Sequence, residues 1–147
     1  MQRFQFKLQR LLDYRKIREE QAQAEFVKAT RVFLHEQDIL HQIKEVLADT
    51  MEGLAAEQKK SSSLLMLKMY QDYIDTTREG IRLQAAKVAS AAEKRHKALR
   101  NFEEAARRRK AVDSLRDRRL QQYQEEVMRE EQAFLDEIAG QRFTRDS

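Results

Sequence analysis

The spacing of apolar residues limits this chain more than any other property. Phe26, Ala29, Phe33, Leu40, Ile43, Leu47 and Leu54 recur at alternating steps of three and four, and Glu36 and Thr50 fill the two remaining places in the series. An average step of 3.5 keeps one seam of an α-helix facing a neighbouring helix, the heptad condition for left-handed supercoiling. Extended backwards, the same register lands on Ala22, Glu19, Arg15, Leu12 and Leu8. A second series runs through Leu67, Tyr70, Ile74, Thr77, Ile81, Gln84, Val88, Ala91, Arg95, Ala98, Phe102 and Ala105. Beyond Val112 the register slips, and Leu115, Leu120, Tyr123, Val127, Phe134 and Ile138 form a less regular stripe. Glu36, a polar seam residue, is expected to fix register at some cost in stability.

Punctuation is scarce. The 147 residues include no Pro, no Cys, no Trp and 3 Gly. Turn-rich all-β and α/β folds draw on Gly and Pro and are disfavoured. The chain is 37% charged with a mean hydropathy of -0.84, too polar for an ordinary globular core. Disorder is the other polar option, but it does not carry apolar residues at helical spacing.

One break interrupts the pattern, at Gln58-Lys59-Lys60-Ser61-Ser62-Ser63. Consecutive serines compete for backbone hydrogen bonds and favour a turn or a helix N-cap. The fold expected is all-α, a long antiparallel two-helix coiled-coil hairpin forming a single coiled-coil domain over residues 1–147. Helix 1 is expected at about 4–58, the turn at about 59–63 and helix 2 at about 64–139, with a frayed tail at 140–147. In this reading Ser63 or a neighbour caps helix 2, Gly53 marks early fraying, and Gly140 ends helix 2 in a left-handed conformation.

Little in the chain supports chemistry. The string His35-Glu36-Gln37-Asp38-Ile39 opens like a zinc-protease motif, but Ile39 stands at the second ligand position. There is no phosphate-binding glycine loop and no nucleophile elbow. Acidic pairs such as Glu19-Glu20, Glu103-Glu104 and Glu130-Glu131 have no enclosed cavity on two paired helices to perturb them. Glu93 with Lys97 and Glu103 with Arg107 read as surface ion pairs. The expectation is a non-enzyme with no cofactor and no metal. The longest apolar cluster, Leu64-Leu65-Met66-Leu67, stops at Lys68, far short of the roughly 20 residues of a membrane span. The N-terminus lacks an uncharged signal segment, so a cytoplasmic chain without membrane insertion is expected.

Two surface features stand out. The run Arg107-Arg108-Arg109-Lys110, followed by Arg116, Arg118 and Arg119, is either a solvated face balanced by Asp113 and Asp117 or a dock for an acidic surface. With a net charge of +4, nucleic acid is not the expected partner, and the downstream stripe lacks the regular leucine heptads of a DNA-gripping zipper. Tyr73, one step off the seam, is either a flanking residue covering the core or an exposed hot spot.

The opening Phe6-Lys7-Leu8-Gln9-Arg10-Leu11-Leu12-Asp13-Tyr14-Arg15, followed by Arg18-Glu19-Glu20-Gln21-Ala22-Gln23-Ala24-Glu25, resembles the start of the flagellar export protein FliJ family. The Ser-broken hairpin, the stretch Tyr70-Gln71-Asp72-Tyr73-Ile74 and the basic C-terminal helix extend the resemblance over essentially the whole chain. It implies a component of the flagellar type III export apparatus, similar to the central stalk of rotary ATPases. The implied partners are the hexameric export ATPase, the membrane export gate protein and export chaperones, with peripheral association at the inner-membrane apparatus. By the same resemblance, Ile39, Ile43, Val46, Thr50, Tyr73, Thr77 and Gly80 are the export-gate candidates. The ATPase candidates are Arg107, Arg108, Arg109, Lys110, Arg116, Arg118 and Arg119. Two other readings are a stalk of a virulence-type secretion system and a nucleic-acid-binding or scaffolding coiled coil.

Overall fold

The computed structural model describes residues 2–60 and 63–146. Two helices, α1 (Gln9–Lys59) and α2 (Leu64–Asp146), pack against each other, and 94% of the described residues are helical. No strand occurs among the described residues. The result is an all-α helical hairpin. Its contacts fall into two compact units, one of residues 1–20 with 103–147 and one of residues 21–102.

In the unit of residues 21–102, every seam position of both heptad series is buried or half-buried. Ile74, Thr77, Gln84 and Ala91 are buried. The polar pair is satisfied across the interface, because Gln84 Nε2 donates to the Glu36 carbonyl at 2.9 Å and to Glu36 Oε2 at 2.5 Å. A buried polar residue without such a partner would cost about 1–3 kcal/mol, so this match ties Glu36 to one register. Arg95 is a second polar seam residue made compatible with burial. Its guanidinium lies over the rings of Phe26 (5.3 Å) and Phe33 (5.8 Å), and its Nε donates to Thr30 Oγ1 at 3.1 Å. Phe26 also stacks on Phe102, with ring centroids 6.3 Å apart.

The turn follows from local chemistry. Ser63 stands immediately before α2; its Oγ accepts from Met66 N at 3.2 Å, and its carbonyl accepts from Leu67 N at 3.2 Å. That is the N-cap expected of the serine run, satisfying one of the helix's free amides. Ser61 and Ser62 lie outside the described residues. Gly53 does not fray the helix. It sits inside α1 with the Tyr70 ring against it, and a Cβ there would meet Tyr70 Cε1 at 2.9 Å. Gly53→Ala should therefore lower the melting temperature of the intact chain by crowding Tyr70. In a Tyr70→Ala background the same change should stabilise by about 1 kcal/mol through helix propensity. Circular dichroism melts of the four chains check this, and stabilisation in both backgrounds would remove the contact.

In the unit of residues 1–20 and 103–147, Leu12 is 1% exposed and anchors the packing. Arg109 Nε donates to Glu19 Oε2 at 2.6 Å and its Nη1 to Asp113 Oδ2 at 3.3 Å. The hydrogen bond to Glu19 raises the Arg109 pKa, so the guanidinium stays charged and its contribution is complete at neutral pH. Helix α1 begins at Gln9 rather than near residue 4, and residues 2–6 are non-helical. This arm is held by side chains instead. Tyr123 Oη donates to the Gln2 carbonyl at 2.6 Å, and the Phe4 and Tyr123 rings are 5.5 Å apart. Helix α2 runs through Gly140 to Asp146, and no glycine has a positive φ among the described residues. The expected left-handed cap and frayed tail are thus replaced by continued helix, within which Thr144 Oγ1 donates to the Gly140 carbonyl at 2.7 Å.

Candidate interaction surfaces

The basic run in α2 is divided by packing. Arg109 is tied to Glu19 and Asp113, and Arg116 Nε donates to Gln9 Oε1 at 3.3 Å while its guanidinium lies 6.0 Å from the Phe4 ring. Both belong to the helix interface. Arg108 bonds Glu104 one turn away at 2.6 Å. Arg107, Lys110, Arg118 and Arg119 are exposed and have no carboxylate partner among the described residues. Arg107, Lys110 and Arg118 fall on one helical face, since steps of three and eleven return close to the same direction at 100° per residue. The expected surface ion pairs form elsewhere than at Glu93–Lys97 and Glu103–Arg107: Glu79 pairs with Arg82, and Glu104 with Arg108.

Arg116 also borders an open groove of about 510 Å³ that the sequence reading did not single out. Arg3, Phe4, Phe6, Lys7 and Arg10 line it with Arg116. The alternation Arg3-Phe4-Gln5-Phe6-Lys7 was the available signal: it is a period-2 string, the mark of an extended segment rather than a helix.

The gate candidates separate into two sets. In heptad notation, with Leu40, Leu47, Leu67, Ile74 and Ile81 at a, the residues Ile43, Thr50 and Thr77 occupy d, inside the seam. Thr77 is 8% exposed and its hydroxyl donates to the Tyr73 carbonyl; Thr50 does the same to Val46. These three belong to the packed interface. Ile39, Val46, Tyr73 and Gly80 all occupy g, and reversing one helix against the other brings g beside g. They therefore share one flank of the hairpin. The same flank carries Val32, Met66, Met69, Thr76 and Leu83, all exposed. Tyr73 is 53% exposed. The flanking series Met66, Met69, Tyr73, Thr76, Gly80, Leu83 repeats the three-four spacing one residue before the seam or two after it. Of its members, the sequence pattern set Tyr73 apart as one step off the seam; the rest of the series shares its spacing.

A Cβ at Gly80 would meet nothing within 4 Å. Gly80→Ala should accordingly stabilise by about 0.5–1 kcal/mol in thermal melts. A destabilised variant would mean that Gly80 is packed rather than open.

No helix is long and apolar enough to cross a membrane among the described residues. Paired helices that bury a narrow seam and present long charged and apolar faces define an all-α helical hairpin with coiled-coil-like packing. The chain belongs to the flagellar FliJ protein family, whose model, described as "Flagellar FliJ protein", matches residues 4–147. Membership assigns it a function associated with flagellar protein export. No curated protein and no solved structure matches the chain.

Proposed function

We propose that this chain is a cytoplasmic, stalk-like factor of the flagellar type III export apparatus. It docks on the hexameric export ATPase and promotes its assembly and activity. It also couples the ATPase to the membrane export gate and to export chaperones. The observation that carries the ATPase contact is the set of outward cations Arg107, Lys110, Arg118 and Arg119, unpaired among the described residues. Cations already satisfied within the hairpin gain little from a partner, whereas free ones steer an acidic surface into place and form adjustable contacts of roughly 0–1 kcal/mol each. Arg109 and Arg116 support the site by holding the helices together.

The gate contact belongs to the flank of Ile39, Val46, Tyr73 and Gly80. An aromatic side chain held outward beside small and aliphatic neighbours offers area at low entropy cost. Tyr73→Ala should leave helicity unchanged and weaken binding to the purified gate domain about tenfold or more, measured by calorimetry. Loss of helicity would return Tyr73 to the core, and unchanged affinity would move the gate contact elsewhere. For the ATPase, the test is whether the purified chain raises turnover of its cognate export ATPase; no stimulation at saturating chain contradicts the proposal.

A further inference from the structure

The first turn of α2 is apolar on almost every side. Leu64 is 83% exposed and Leu65 69%, and Met66 and Met69 are exposed beside them. Three consecutive residues span about 200° of the helix, so no single seam can cover them. Only Leu67 of this cluster turns toward the packed interface, where it is half-buried. Leaving four large apolar side chains in water at a turn is unfavourable, and polar residues serve ordinary turns better.

Around this cluster the charge is positive. Lys59, Lys60 and Lys68 are all exposed, and between residues 57 and 69 the one carboxylate is Glu57. No acidic side chain lies in the first turn of α2. Apolar side chains projecting from a cationic collar match the boundary of an anionic bilayer, where the side chains enter the acyl region and the lysines meet lipid phosphates. A protein groove could cover the leucines and methionines too, but the flanking lysines select a surface that is itself negative over a broad area.

We infer that the turn of the hairpin, Lys59–Met69 less the two undescribed serines, binds the surface of an anionic membrane. The contact is interfacial and shallow, and separate from any spanning segment. It does not depend on the gate or ATPase contacts proposed above. Each lysine near a negatively charged leaflet favours binding by about 1 kcal/mol and Glu57 opposes it, so the net two charges favour anionic over neutral vesicles by up to roughly thirtyfold at low salt.

The test uses the full chain and vesicles alone, with no other protein. Because the chain has no Trp, Leu65→Trp places a unique reporter in the cluster and Leu83→Trp a control outside it. With vesicles of phosphatidylglycerol and phosphatidylcholine, the indole emission of the Leu65→Trp chain should shift to the blue. That of the Leu83→Trp chain should not. Pure phosphatidylcholine should give no shift. In co-sedimentation, Leu64→Ser with Leu65→Ser should lower vesicle partitioning by about tenfold or more, and Lys59→Glu with Lys60→Glu by a similar factor. An unshifted emission from the Leu65→Trp chain, equal binding to neutral and anionic vesicles, or unchanged partitioning of the serine variant would each overturn the inference. Should the leucine cluster bind the purified gate domain but no vesicle, the occupant is a protein surface and the lipid assignment fails.

Discussion

Reversing the four free cations, Arg107→Glu, Lys110→Glu, Arg118→Glu and Arg119→Glu together, should abolish stimulation of the export ATPase while leaving helicity intact. The effect is large because the change does more than delete attraction. Each substitution replaces a favourable contact with like-charge repulsion against an acidic surface, and three of the four, Arg107, Lys110 and Arg118, share one helical face. The fold should tolerate it, since none of these side chains has a carboxylate partner among the described residues. The instructive contrast is Arg109→Ala. That variant strips Glu19 of its charged hydrogen-bond donor and should cost about 1–3 kcal/mol of stability, seen in urea denaturation. It should reduce ATPase stimulation only as far as the hairpin is unfolded. A reversal variant that stimulates normally would remove these four cations from the ATPase contact.

The largest expected stability effects lie at the two deepest apolar positions. Leu12→Ala and Ile74→Ala, at residues 1% and 2% exposed, should each cost about 2–4 kcal/mol in chemical denaturation. Few residues of this chain are fully buried, and a two-layer interface cannot spread the loss over a larger core. A short side chain at either place leaves the facing residues without partners. Ala substitution at the exposed Leu34 or Leu83 should change stability by under about 0.5 kcal/mol, a control for loss of apolar area alone. Equal costs at Leu83 and Ile74 would mean that the seam is misassigned.

The seam was the most legible part of this molecule, because a strict 3.5 spacing has one structural solution. Glu36 and Gln84 were visible as polar intruders in separate series, and the structure joins them directly. The serine run was legible for a similar reason: Ser63 offers an oxygen where a helix has free amides. Arg109 and Arg116 were legible too, although the basic run hid them: the steps of the second series continue from Ala105 through Arg109 and Val112 to Arg116, and Glu19 and Gln9 lie opposite the two arginines. The N-terminal arm departs from helix with Phe4 beside the Tyr123 ring, a contact with a residue far along the chain that local spacing does not reveal. Gly53 was misjudged because its reason is a ring on the other helix. The exposed flank of α2 hid beside the seam, sharing its period.

One chain folding back on itself is the fact on which the rest depends, and thiol crosslinking probes it. The natural sequence has no Cys, so Glu36→Cys with Gln84→Cys carries two unique thiols at positions 48 residues apart that touch in the hairpin. A short bismaleimide should join them within one molecule, giving a monomeric product whose yield is independent of protein concentration. Products joined between chains at identical positions, with none formed within a chain, would indicate a parallel dimer of uninterrupted helices and contradict the hairpin.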